Sequence, residues 1–300
     1  MTAIPPVRRR LLGSALRKHR ESLGYTLDQA ARILECDRSK ISRIETGQRG
    51  IRAKELRELL TEYDVADAEQ EALLAIAHSG RQAGWWLDYS DVLTAAGQDY
   101  VIMELAATEI LAFEPNQVPD LLQIPAYAAA LADVDPNAYG DDQREHAIEV
   151  KLTRQRIVLG GRQPRLEVVI TEGALRQTVG GPTAMRAQLL WLAGVAAAGL
   201  VATLPDGTGS PAGSARVSLQ VLPFAAGAHA AAGRGPMTIL RFARNQGIGV
   251  VHLSGLSGGV SLEDAAEVSR YLRTFAQLRS AALAPAASAR LLRAIAREER

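Results

Sequence analysis

The sequence predicts two parts of different class: an all-α head of five short helices and an α+β body with a small β-sheet. Three observations carry this. Within residues 11–78 apolar residues recur at helical spacing, and the runs stop at Gly24 and Gly47, as expected where glycine takes the left-handed conformation that closes a helix. Beyond residue 100, helical patterns alternate with short runs rich in Val, Ile and Leu bounded by Gly or Pro. A length of 300 residues suits two domains. The chain divides into a basic N-terminal arm (1–10), a helical domain (11–78), a connecting segment (79–99) and an α+β domain (100–300).

The head's helices are expected at 11–23, 26–34, 38–46, 54–63 and 68–78. Thr26 suits an N-cap, with Gln29 three residues on completing a capping box. Asp37 suits the N-cap of the third helix, where its charge meets the positive end of the helix dipole. Segment 80–100 is less regular. The body's helices are expected near 100–111, 125–132, 141–159, 182–199, 262–282 and 286–299. Its strands are expected at 166–171, 216–222, 237–243 and 249–253. Segment 204–215 reads as a flexible surface loop and 254–259 as a turn, from their Gly, Ser and Pro content. The last helix carries Leu291, Leu292 and Ile295 on one side, a stripe expected to pack on its own domain.

Composition narrows the function classes. Apolar stretches are interrupted well before the ~20 residues of a membrane span, and MTAIPPVRRR has no apolar run behind its basic residues, unlike a secretory signal. A single cysteine, Cys36, excludes an internal disulfide framework and a multi-cysteine zinc site. The expectation is a cytoplasmic, nucleoid-associated protein with no membrane partner. The net charge of +1 conceals an asymmetry: residues 1–63 hold 14 Lys or Arg against 8 Asp or Glu, and the remainder holds 20 against 25. Only the head is suited to meet a polyanion.

Segments 26–34 and 38–46 form two helices joined by a short turn in a basic bundle, the helix-turn-helix arrangement, whose second helix reads the DNA major groove. Ile41 and Ile44 must face the core. Arg38, Ser39, Ser42 and Arg43 then face outward, and Arg and Ser can bond base edges. Lys40 suits a phosphate contact, as do Thr26 and Gln29 at the preceding helix start. Arg8, Arg9 and Arg10 are read either as an arm following the DNA or as a solvated tail. Cys36, in the turn, is read as a small apolar filler, with a redox-sensitive thiol as the other reading.

On Leu16, Arg20, Gly24, Thr26, Ala30, Ala31, Leu34, Ser39, Ile41, Ser42, Ile44, Glu45, Gly47, Leu56 and Leu60, residues 11–63 resemble the phage-repressor-like (XRE-type) helix-turn-helix family, whose fold is lambda-repressor-like. The resemblance implies base contacts from Arg38, Ser39 and Arg43, and a structural brace between Arg20 and Glu45. Glu35 departs from it, standing where the family often has Gly, and so calls for a less usual turn backbone.

A second resemblance covers nearly the whole chain. It rests on Gly84-Trp85-Trp86, Phe113-Glu114-Pro115, the VPDLLQ of 118–123, Tyr127, Arg154-Gln155, Val179-Gly180-Gly181-Pro182, the MRAQL of 185–189, the QVLPF of 220–224 and Gly227-Ala228-His229. These are similar to actinomycete regulators of the WhiJ-like, antitoxin-like group, in which the helix-turn-helix precedes an uncharacterised α+β domain. The resemblance implies double-stranded DNA as partner, a homodimer, and a small partner protein or small-molecule effector. Loop 204–215 is longer than that group's pattern.

In the body, Trp85 and Trp86 are expected to plug the seam between the two parts, with a ligand pocket or interface as the other reading. Glu114 and Gln123 are read as caps that have the chemistry to bond a ligand. His229 is kept as a candidate ligand or interface residue; it and His252 lack the Cys or His spacing of a metal site. No phosphate-loop, dinucleotide, zinc-protease or serine-hydrolase motif is present, so no catalytic residue, cofactor or metal is assigned and an enzyme is not expected. The function expected is a sequence-specific, dimeric transcriptional regulator with a signal-receiving body. The alternative is an antitoxin-like module that binds a small, genetically linked protein and uses DNA binding for autoregulation.

Overall fold

The computed structural model describes residues 7–78, 85–134, 140–162, 164–207, 215–242, 249–255 and 258–299. Residues 1–6 of the expected arm, 79–84 of the connecting segment, 208–214 of the expected loop, the last residue of the expected 237–243 strand and the middle of the 254–259 turn lie outside them.

Five helices build the head: α1 (Val7–Ser22), α2 (Leu27–Ile33), α3 (Arg38–Glu45), α4 (Ala53–Glu62) and α5 (Asp67–His78). α1 starts four residues earlier than the sequence pattern suggested, so Arg8, Arg9 and Arg10 are its first turn rather than an arm. Neither Gly nor Pro interrupts Val7–Leu12, so nothing local opposes the helix there. Leu11, Leu16, Ala30, Ile41, Leu56 and Leu73 bury the apolar faces against one another. Gly24 and Gly47 close α1 and α3 with φ of +70° and +73°. Glu35, in the α2–α3 turn, also takes a positive φ, +46°, where a Cβ raises the energy by roughly 1–2 kcal/mol. Hydrogen bonds from Glu35 N–H to Arg32 O (3.2 Å) and from Cys36 N–H to Ala31 O (2.9 Å) hold that turn in place.

A 3₁₀ turn (Trp85–Tyr89) leads into the body: α6 (Ala95–Ala106), β1 (Glu109–Glu114), α7 (Pro125–Asp133), α8 (Asp141–Ile157), β2 (Arg165–Thr171), the single turn α9 (Glu172–Leu175), α10 (Gly181–Ala198), β3 (Leu200–Val201), β4 (Ala215–Leu222), β5 (Met237–Arg241), β6 (Gly249–Gly255), β7 (Gly258–Leu262), α11 (Ala265–Ala281) and α12 (Pro285–Glu298). The strands form one mixed sheet of seven, in the order β3-β4-β2-β1-β5-β6-β7. β1, β2 and β4 run parallel at its centre. β5, β6 and β7 follow antiparallel on one side, and β3 pairs antiparallel at the other edge.

The sequence pattern showed four of these strands. β1 was not expected: its first three residues fell at the end of the helix expected near 100–111 and the rest lay beyond it. Its residues Ile110–Phe113 are all buried, and a strand apolar on both faces has no alternation to distinguish it from a buried helix. β7 (GGVSL) is too rich in Gly to read as a strand; it pairs with β6 through a hairpin at Gly255 and Gly258.

The sheet's two faces carry two cores. Ile110, Ala112, Leu166, Val168 and Leu219 point to the side packed by α10 and α12. Leu111, Phe113, Val169, Met237 and Ile239 point to the side covered by Val268, Phe275 and Leu278 of α11. Leu292 and Ile295 of α12 are buried in the first core. The Ser288 hydroxyl accepts from Val221 N–H (2.9 Å) and donates to Leu283 O (3.1 Å), so the buried hydroxyl is met on both sides.

α6 joins the halves. Its residues Val101–Ala106 are all buried, and it touches α1 and α5 of the head as well as α8 and β7 of the body. Arg10 of α1 also pairs with Glu263, between β7 and α11.

One close approach fixes the head. A Cβ at Gly13 would lie 2.4 Å from Ile44 O and 2.5 Å from Glu45 O, so α1 crosses the end of α3 with no room for a side chain. Gly13→Ala is expected to lower the head's stability by about 1–3 kcal/mol, read as a lower midpoint in chemical denaturation.

Candidate nucleic-acid interface

The geometry of α2 and α3 is set from their ends inward. At the start of α2, Gln29 N–H donates to Thr26 Oγ1 (3.2 Å) and Thr26 N–H donates to Gln29 Oε1 (2.8 Å). Both orphan donors are met, and both side chains stay exposed. Asp37 is the N-cap of α3 but makes no side-chain cap bond. Ile41 and Ile44 are only 1% and 2% exposed, so α3 has one inward face.

The other face carries Arg38, Ser39 and Arg43, all exposed. The Arg43 guanidinium lies back along its own helix: Nε donates to Ser39 O (3.1 Å) and Nη2 to Ser39 Oγ (3.2 Å). Ser42 is half-buried, and its carbonyl accepts from Thr46 Oγ1 (2.9 Å). Lys40 differs from its neighbours. Its Nζ lies 2.8 Å from Glu55 Oε1, so it ties α3 to α4 rather than standing free toward solvent. Burial raises the Glu55 carboxyl, but the hydrogen bond from Lys40 and that from Arg52 N–H outweigh it and hold the group below its ordinary value.

Arg20 and Glu45 meet. Arg20 is 7% exposed; its Nε lies 2.6 Å from Glu45 Oε1, its Nη2 donates to Glu45 Oε2 (2.9 Å) and its Nη1 to Tyr25 O (2.6 Å). The fork thus holds the ends of α1 and α3 to the chain entering α2, and the Glu45 hydrogen bond raises the Arg20 pKa further. Burial pushes the Cys36 thiol up, which favours the filler reading over a reactive thiolate.

Residues 11–73 match a helix-turn-helix domain, and residues 98–204 and 210–294 match the family described as a domain of unknown function, DUF5753. The chain belongs to the DUF5753 family. The chain matches no curated protein and no solved structure. The match is interrupted at 205–209, within the loop that the sequence marked as long.

In the DUF5753 body the predicted residues separate. Trp86 is buried in the core, and Trp85 packs edge-on against it (centroids 6.1 Å) and against Tyr89 (5.8 Å); the turn that carries them packs against α6 and α8 of the body. Gln123 is fully buried: its Nε2 donates to Val118 O (2.7 Å) and its backbone carbonyl accepts from Gln155 Nε2 (2.8 Å). The His229 ring rests on Phe113 (6.0 Å), on the α11 side of the sheet. Glu114, at the end of β1, faces a cavity of about 410 Å³, within the range of small-molecule pockets.

Sequence reasoning missed the cavity's polar wall. Glu104 of α6, 1% exposed, accepts two hydrogen bonds of 2.8 Å from Arg154 of α8 and one of 2.9 Å from Tyr100. Arg154 also donates to Asp120 (3.1 Å). His252 of β6 stacks on Tyr100 (centroids 4.3 Å). The available signal was Glu104 itself, a lone charge in the apolar run YVIMELA. Among the described residues no helix is long and apolar enough to cross a membrane, and no group of three or more His, Cys, Asp or Glu is placed to hold a metal ion.

Two outcomes follow from these geometries. Glu45→Ala leaves the Arg20 guanidinium with only the more exposed Glu21 carboxylate, 3.3 Å away, and should destabilise the head by about 1–3 kcal/mol, measured by denaturation. Burial and the charge of Asp120 raise the Glu114 carboxyl from 4.5 to about 8, so between those values the folded protein holds a proton that the unfolded chain has lost. Stability therefore falls as pH rises through this window. Glu114→Gln should abolish that fall, making the variant more stable than the parent above pH 8, read as melting temperature against pH.

Proposed function

We propose that this protein is a sequence-specific transcriptional regulator that binds duplex DNA through α3 as a homodimer, and whose α+β body receives a signal. The observation that carries the reading is the outer face of α3. Arg38, Ser39 and Arg43 stand exposed on a helix whose other face is buried through Ile41 and Ile44 and whose end is clamped by Arg20 and Glu45. Such a helix can enter a major groove without rearranging its own core. Arg43 reaches guanine by leaving Ser39, an exchange of one exposed contact for another. The exposed Thr26 and Gln29 and the N–H groups at the start of α2 suit a phosphate. Two heads would meet half-sites about one helical turn, ~34 Å, apart.

The signal-receiving part of the reading is supported by α6. It carries Tyr100 and Glu104 to the cavity wall and touches α1 and α5 of the head. A ligand that shifts α6 acts on the helices that seat α3.

The test is binding to DNA from upstream of the protein's own gene, against a scrambled duplex, at two salt concentrations. Tight, sequence-dependent binding is expected. Arg43→Ala should weaken it by roughly 1–3 kcal/mol with relaxed base preference; the triple Arg38, Ser39 and Arg43 alanine variant should abolish it. Equal, salt-sensitive binding to both duplexes would overturn the reading.

A further inference from the structure

The cavity beside Glu114 has an uneven distribution of charge. Its positive groups are already engaged. Arg154 directs Nε and Nη2 at Glu104 and Nη1 at Asp120, and Lys151 lies 3.5 Å from Asp120. The carboxylates of Glu104 and Asp120 are thereby matched. Glu114 is not: among the described residues it has no hydrogen-bond or ion-pair partner. The rest of the wall carries no further charge: Ile110, Ala112, Leu121 and Leu166 form its apolar part, and Asn116, Gln117, Thr238 and Ser254 add neutral polar groups.

We propose that this cavity binds a small organic cation, a primary or secondary ammonium on an apolar body without an acid group, with Glu114 as its counter-ion. The inference rests on the signal-receiving reading of the body. An anionic ligand would meet Arg154 only by displacing Glu104 or Asp120, and an amino acid would bring a carboxylate with no free cation to receive it. An ammonium gives the unmatched carboxyl its charge, while the apolar wall takes the body of the molecule.

The groups that face Glu114 agree with this. Asp120, beside the C-terminal half of α8, adds negative charge. From α6, Glu104 is held by Arg154, and Tyr100 gives its hydroxyl hydrogen to Glu104. From α7, the Tyr127 hydroxyl accepts from Val118 N–H. From β6, burial and Arg154 lower His252 to about 4, so it stays neutral and brings no competing cation. With Glu114 at about 8, the empty site is uncharged at that carboxyl near neutral pH, and a bound ammonium expels its proton.

The experiment is calorimetric titration of the full-length protein without DNA. The probes are phenethylammonium and n-butylammonium, their neutral counterparts 2-phenylethanol and 1-butanol, and the anions phenylacetate and butanoate, at millimolar concentrations. At least one ammonium should bind about tenfold or more tightly than its alcohol and carboxylate counterparts. Titration in two buffers of different ionisation enthalpy should show about one proton released per ligand near neutral pH. Glu114→Gln should lose the preference, and Glu114→Asp, which keeps the charge, should retain it at reduced affinity. No ammonium binding, equal binding of an alcohol or carboxylate, or an unchanged preference in Glu114→Gln overturns the proposal. If neither variant folds, the probe series on the parent protein decides. Operator binding is titrated separately. Amine binding without DNA recognition leaves the site standing and removes the regulator reading; DNA recognition without amine binding does the reverse.

Discussion

Arg154 and Glu104 face each other inside the protein, and neither can stay there without the other. Taking either charge out of water alone would cost several kcal/mol; paired through two parallel hydrogen bonds, with Tyr100 and Asp120 meeting further valences, both are accommodated. The pair decides more than local energy. It fixes α6 to α8 across the end of the sheet, and α6 is the element on which the head rests. Hydrophobic contact along Val101–Ala106 supplies adhesion without direction, because apolar surfaces tolerate sliding. The fork of Arg154 sets the register. Seat of the head, wall of the cavity and connection to the sheet therefore share one helix and one ion pair.

How much of this was legible in the sequence depends on whether a residue acts through its neighbours along the chain or through partners far away. The Thr26–Gln29 capping box, the closing glycines at 24 and 47 and the inward Ile41 and Ile44 are local, and their spacing displayed them. The unusual turn backbone at Glu35 was also foreseen, from a glycine position filled by something else. β1 was invisible because a strand buried on both faces loses its alternation. The cavity was invisible for another reason: Tyr100, Glu114, Arg154 and His252 come from four elements, and no local pattern links them. Of its residues, Glu114, Arg154 and the Pro119–Leu121 stretch lay within segments marked by resemblance, with nothing in the sequence to say that they converge. Lys40 is the same lesson at smaller scale, since its partner Glu55 is 15 residues away on the next helix.

The basic residues of α3 fall into two kinds. Lys40 is spent on the fold, held by Glu55, whereas Arg38 and Arg43 have only solvent or their own helix to give up. A formal count of positive charge overstates what the head offers to a polyanion. It also hides that the offer is concentrated on a short outward arc whose orientation is fixed by the Arg20–Glu45 clamp.

Glu35 has a consequence in the currency of evolution. It holds the α2–α3 turn in a left-handed conformation that a glycine would take with ease, and it sets a carboxylate beside the face assigned to DNA. Every glutamate codon is a single nucleotide from a glycine codon. A lineage carrying this protein thus has, within one mutation, a more stable head that also repels the duplex less. On the proposed reading, that change strengthens binding to all sequences together and so erodes the contrast between an operator and the rest of the genome. On the same reading, the strained, acidic turn holds the affinity of a small basic domain in check.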